Sequence, residues 1–159
     1  VREDKKTLIV FSGDLDKAMA AFIIATGAAA MGNEVTMFFT FWGLNILRKA
    51  KRVQVKKNFL EKLFGWMMPR GPEKLGLSKM NFAGLGPWMM KLMMRQKNVN
   101  TLPELIEQAQ ALGVKIIACS MSMDIMGIHP EELIDGIEYA GVASYLGEAD
   151  EANVNLFIA

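Results

Sequence analysis

The chain holds one cysteine and one histidine among its 159 residues. One thiol cannot close an internal disulfide, which excludes the disulfide-stapled secreted scaffolds and points to a reducing, cytoplasmic setting in which the thiol stays free. The lone histidine, His129, stands well past that thiol in sequence and reads as a solvent-facing residue ahead of a short helix. No uncharged run reaches the roughly 18 to 20 apolar residues of a membrane span; the longest, residues 18–33, is Ala- and Gly-rich and only mildly hydrophobic. The opening Val1-Arg2-Glu3-Asp4-Lys5-Lys6 is charged, has no signal-peptide pattern and carries no functional signal. No cofactor and no metal site are expected. The methionine run within Trp88–Arg95 has neither a thiol nor an imidazole near it in sequence, so it reads as packing material.

Net charge is also slight, +1, but its distribution is uneven. Residues 48–97 carry 13 of the 18 Lys and Arg and only two acids, Glu61 and Glu73, a local +11 against −10 for the remainder. Seven of the methionines and two of the three tryptophans fall in the same stretch. The composition predicts one domain over residues 1–159 with 48–97 as a basic, Met-rich inserted segment.

What the chain does have is a repeated strand and helix alternation. Thr7–Ser12 is a buried apolar run, followed by Gly13-Asp14 and an Ala-rich helix from Leu15 to Met31, with Asp14 at the N-cap and Gly32-Asn33 ending it. Glu34–Thr40 is a second strand, and Phe41-Trp42-Gly43-Leu44-Asn45 leaves its carboxyl end. Within the insertion, Trp88–Arg95 has the spacing of a short basic amphipathic helix, while Gly and Pro break the rest into turns. Thr101 and Glu104 have capping-box spacing for a helix to Leu112, and Val114–Cys119 follows as a β-branched strand. Short strands at Gly136–Ala140 and Val154–Ile158 flank a helix over Gly141–Asp150. Five strands with helices between them predict an α/β domain with a parallel sheet covered on both faces.

The strand ending in Cys119 is the stretch that bears chemistry. In an open α/β sheet, ligands and reactive groups collect beyond the carboxyl ends of the strands, where helix amides are free. A thiol there meets hydrogen-bond donors suited to a thiolate. Free cysteines are as a rule small buried hydrophobes, however, and the pattern alone leaves both readings open. Trp42 and Asn45, from the end of the second strand, could line the same crevice, or Trp42 could cap the core.

Cys119-Ser120-Met121-Ser122-Met123-Asp124-Ile125-Met126-Gly127 resembles the DsrE/DsrF/DsrH-like family, in its DsrE2-type branch. The resemblance extends through Ser12-Gly13-Asp14-Leu15-Asp16-Lys17, Thr40-Phe41-Trp42-Gly43 and Gly141-Val142-Ala143-Ser144-Tyr145-Leu146. It implies a Rossmann-like, three-layer α/β/α domain, self-association as a trimer or hexamer, and a sulfur carrier or sulfurtransferase that holds sulfane sulfur as a persulfide on Cys119. Sulfur-donor and sulfur-acceptor proteins are then the expected partners. Ser120, Met121 and Ser122 would flank the persulfide, with Gly13, Asp14, Trp42 and Asn45 about the pocket.

The alternative is a small-ligand or nucleotide-binding module in which Gly13-Asp14 and Trp42-Gly43 build the pocket and Cys119 only lines it. Against it, Asp14 and Asp16 repel phosphate and the spaced glycines of a dinucleotide fingerprint are absent. For the basic segment, self-association is the first expectation, and residues 66–95 also suit peripheral contact with an anionic membrane surface. Nucleic acid is not an expected partner, since the cations alternate with Met and not with stacking aromatics.

Overall fold

The computed structural model describes residues 4–159, so the first three residues of the charged lead-in lie outside the described residues. The elements run β1 (Lys5–Val10), α1 (Leu15–Ala30), β2 (Glu34–Phe39), a 3-10 segment (Phe41–Leu47), α2 (Phe59–Met67), α3 (Leu85–Gln96), α4 (Leu102–Ala111), β3 (Lys115–Cys119), α5 (Ser120–Met126), β4 (Glu138–Ala140), α6 (Val142–Asp150) and β5 (Val154–Ile158). The five strands form one parallel sheet in the order β4-β3-β2-β1-β5. The α/β class and the strand count read from the sequence are both present.

Side-chain alternation divides the sheet into two unequal faces, because successive residues of a strand point opposite ways. Leu8 and Val10 of β1, Met37 and Phe39 of β2, and Ile116 and Ala118 of β3 enter the main core with Ala18, Phe22 and Ala25 of α1 and Leu105, Ile106 and Ala109 of α4. Each large side chain fully buried there contributes about 1.5–3 kcal/mol. The other phase, Ile9, Phe38, Ile117 and Cys119, packs beneath Tyr145 and Ala149 of α6. One nine-residue helix cannot cover a five-stranded face, and Phe157 of β5 is left mostly exposed.

Electrostatics and hydrogen bonds pin that helix. Glu148 lies 2.6 Å from Lys5 Nζ and 3.0 Å from Lys115 Nζ, joining α6 to β1 and β3, and it accepts a 3.3 Å bond from Thr36 Oγ1 of β2. The Tyr145 and Thr7 hydroxyls are 2.9 Å apart. Lys5, which sequence reading assigned to a lead-in without function, is therefore a buried residue of the first strand. Only the fold brings it the carboxylates that stabilise it.

Residues 49–100 contribute two helices and no strand to the sheet. The Asn58 side chain and Glu61 cap α2 reciprocally. On α3, Met90 and Met94 pack against the main core, whereas Leu85, Trp88, Met89, Leu92 and Met93 face outward. The amphipathic arc expected at Trp88–Arg95 is present, but most of it points away from the body of the protein. No helix among the described residues is long and apolar enough to cross a membrane.

Candidate functional site

Cys119 ends β3, pairs in register with Ala140 of β4, and occupies the N-cap position of α5. Its β-branched strand is buried on both faces, as a central parallel strand requires, and the thiol is carried to the carboxyl edge of the sheet. The expected access is not there: Cys119 is 3% exposed, under Tyr145 and beside Phe38 and Ile117. The Phe38 and Tyr145 rings stack at 5.1 Å. A strand end faces solvent only if nothing crosses it, and α6 does.

Ser120 and Met121 follow in the first turn of α5, Met121 well exposed. Ser122 is fully buried, and its hydroxyl is held 2.7 Å from Thr40 Oγ1, which ties α5 to the end of β2. Ser120 lines an open cleft of about 410 Å³ with Asp124, Gly127, His129 and Tyr139. Glu61 of α2 closes one side, so close that a Cβ on Gly127 would stand 2.8 Å from Glu61 Cγ. Gly127 has φ +66°, the left-handed conformation that ends α5. His129 thus shares a cleft with the residue next to the thiol; sequence distance had no means of deciding this.

The other residues named from the sequence separate into two groups. Gly13 and Trp42 meet: a Cβ on Gly13 would be 2.6 Å from the Trp42 carbonyl oxygen, and one on Gly43 would be 2.1 Å from that of Val10. The loops leaving β1 and β2 are locked backbone to backbone, which leaves no gap between them for a ligand. Phe41 takes a positive φ of 48° at the turn, and the Trp42 side chain is 46% exposed at the rim. Asp14 stands at the N-cap of α1 without a side-chain capping bond; its carboxylate instead accepts from Ser12 Oγ at 3.2 Å and lies 3.5 Å from Lys17 Nζ. Asn45 does not reach the crevice. It is buried against residues 48–71, where its carbonyl accepts from the Gly71 amide and its side-chain oxygen from Arg48.

Two features escaped the sequence. Tyr145 as the cover over the thiol had only its place in an apolar helix as a signal. The second is a buried charge cluster in which Glu132 meets Lys57 at 2.7 Å, Arg70 at 3.7 Å and Arg48 at 4.0 Å. Burial raises the cost of the Glu132 carboxylate, but the His129 amide, donating at 2.8 Å, and Lys57 outweigh it and hold Glu132 below the ordinary carboxylate range. The density of cations in 48–97 was visible, but not that Arg48, Lys57 and Arg70 converge on Glu132.

Comparison with known proteins adds a lineage to this geometry. A sequence model described as the DsrE/DsrF/DrsH-like family matches residues 2–157. The chain is 62% identical to an uncharacterized protein, YrkE, of Bacillus subtilis (strain 168), over 97% of this chain and 96% of that one. It is 39% identical to the sulfur carrier protein DsrE2 of Allochromatium vinosum, over 99% and 100% of the two chains. Among solved structures, the ychN protein from E. coli superposes with a TM-score of 0.55 at 12% identity, and MTH1491 from Methanobacterium thermoautotrophicum with 0.58 at 11%. Each covers 96% of this chain and 98% of its own, a likeness of fold.

Proposed function

Because the chain belongs to the DsrE/DsrF/DrsH-like family, we propose that it is a sulfur carrier in which Cys119 holds the transferred atom. In the loading step the Cys119 thiolate attacks the outer sulfur of a donor persulfide R–S–SH. A Cys119–S bond forms, the donor S–S bond breaks, and R–S⁻ leaves with the bonding pair. In the unloading step an acceptor thiolate attacks the outer sulfur of Cys119–S–SH, and Cys119 departs as the thiolate. Neither step changes the overall oxidation level, so no external oxidant or reductant is needed.

The observation that carries the reading is the placement of the only thiol at the carboxyl edge of β3, directly ahead of α5. The first-turn amides of α5 and the Ser120 hydroxyl are the donors for the terminal sulfur; Ser122 supports the turn through Thr40. The Ser120–His129 cleft, beside the residue next to the thiol, is the approach for the donor, and loading requires Tyr145 of α6 to move off Cys119. With one thiol in the chain, the sulfur passes to an acceptor thiol on another molecule. The ligand-module reading is weaker, because the Gly13 and Trp42 backbones fill the space that it requires.

Self-association and a cytoplasmic place belong to the same proposal. Phe157, Val142 and Leu146 leave the α6 side of the sheet apolar, and α3 turns Trp88 and Met93 outward. A trimer or hexamer covers the first of these surfaces, and residues 66–95 contact a second copy or an anionic membrane surface. The deciding measurement for the carrier is intact mass spectrometry of reduced protein treated with a sulfane-sulfur donor. A one-sulfur gain on wild type and none on Cys119→Ser is expected; an equal gain on both, or none on either, overturns the reading.

A further inference from the structure

Arg48 is the largest fully buried side chain of the protein, and it is a cation. All three hydrogen bonds it makes are long, at 3.4 Å to the Asn45 side chain and to the Pro69 and Gly65 carbonyls, where a charge-assisted bond is commonly 2.7–2.9 Å. Among the described residues, neither its Nε nor Nη1 of Arg70 has a hydrogen-bond partner. The carboxylate nearest Arg48, Glu132, is already engaged by Lys57 and the His129 amide and stands 4.0 Å away. Burial, then repulsion from Arg70 and Arg52, lowers the Arg48 pKa to about 10 despite Glu132.

This surplus of positive charge borders open space. Two adjoining clefts of about 630 and 520 Å³ share Arg52, Gly65, Trp66 and Arg70 as walls. Arg48 lines the smaller and Lys57 the larger. Gly65 lies between two of these cations, a Cβ there standing at ordinary contact distance, 3.7 Å from Lys57 Nζ and 3.9 Å from Arg48 Nη2. Eight Lys and Arg side chains line the two clefts, Arg48, Arg52, Lys57 and Arg70 among them, against two acids, Glu73 and Glu132.

We propose that this double cleft binds a small multivalent oxyanion, either an inorganic sulfur oxyanion or a phosphate group, at the guanidinium groups of Arg52 and Arg70, with the charge of the buried Arg48 behind them. Planar guanidinium forks match the paired oxygens of such anions. The excess of positive charge favours a dianion over a monocarboxylate, and the unpartnered Nη1 of Arg70 gains most from an acceptor brought close. The site lies in the inserted segment and is independent of sulfur transfer at Cys119.

The test compares thiosulfate, sulfate and inorganic phosphate with sodium chloride and acetate at equal ionic strength. At about tenfold excess over Kd a dianion raises Tm by roughly 3–5 °C, and isothermal titration gives saturable one-site binding. Arg52→Gln and Arg70→Gln, side chains that are exposed or half-buried, each weaken binding at least about tenfold while their Tm in chloride stays near wild type. Preference for thiosulfate over phosphate assigns the sulfur source, and the reverse assigns phosphate. Cys119→Ser binds like wild type, so failure of the carrier reading and failure of this site are told apart. A response no greater than that to chloride, or one unaltered in both arginine variants, overturns the site and leaves these cations to an acidic protein surface.

Discussion

Thr40 Oγ1 and Ser122 Oγ, 82 residues apart in sequence, stand 2.7 Å from each other and join the end of β2 to the first turn of the helix that follows Cys119. The bond holds α5 against the sheet at the point where the thiol leaves its strand. Ser122→Ala removes one buried hydrogen bond and leaves Thr40 to find another partner. We expect a loss of about 1 kcal/mol, read from the urea midpoint at unchanged m-value. The same variant loads sulfur on Cys119 as wild type does; a total loss of loading in a folded Ser122→Ala protein would assign that hydroxyl to the persulfide itself.

Tyr145 packs over the thiol. Tyr145→Phe keeps the ring over Cys119 and forfeits the contact with Thr7, at a cost of about 1 kcal/mol. Tyr145→Ala opens a cavity above Phe38 and costs about 3–5 kcal/mol. The two variants separate stability from access: under native conditions Cys119 reacts with an aromatic disulfide reagent at least about tenfold faster in Tyr145→Ala, and near the wild-type rate in Tyr145→Phe. Equal rates in all three proteins would mean that α6 is not what limits access.

The Glu148 hub makes stability fall in acid. Lys5, with Lys115 behind it, outweighs burial and keeps the Glu148 carboxyl below its ordinary range in the folded protein. A depressed folded pKa means that the contribution is fully present above the unfolded value near 4.5 and is lost as pH falls through the folded one. Glu132 acts in the same direction. Lys5 is raised, chiefly by its bond to Glu148, so its share is present below about 10.5 and fades only in strong alkali. Glu148→Gln should cost about 2 kcal/mol at pH 7 and flatten the Tm profile below pH 5. An unchanged acid limb would remove Glu148 from the account.

Gly43→Ala tests the locked loops. The added methyl would lie 2.1 Å from the Val10 carbonyl oxygen, an atom that cannot yield without breaking the end of β1. A loss of about 3 kcal/mol or more is expected, whereas Gly147→Ala, on the open side of α6, is neutral or gains up to about 1 kcal/mol. Denaturation curves of the two variants side by side decide it.

The outward face of α3 provides the last prediction. Trp88→Glu with Met93→Glu alters two exposed side chains, so Tm should change by less than about 2 °C. If this face docks a second copy, solution mass falls; if it lies on a bilayer, pelleting with anionic vesicles falls instead. Neither changing would remove residues 66–95 from both roles.

Sequence alone determined what local chemistry encodes. The short apolar runs and the helical stretches between them placed the five strands, with ends moved by a residue or two. Thr101 and Glu104 form the reciprocal cap that their spacing foretold, with the Thr101 amide donating to Glu104 at 2.9 Å. Cys119 at a strand end followed from the same signals. The tertiary structure alone decided the order β4-β3-β2-β1-β5, the burial of the thiol under α6, and the turning of Asn45 toward Arg48 and away from the crevice. It also decided which acid of the body meets the basic insertion: Lys57 reaches Glu132 across 75 residues. The physical reason is the range of the forces. Caps, turns and strand alternation are settled within a few bonds of the residue that carries them. Burial, ion pairing and exposure depend on which distant surface the chain folds against, and neither composition nor spacing records that.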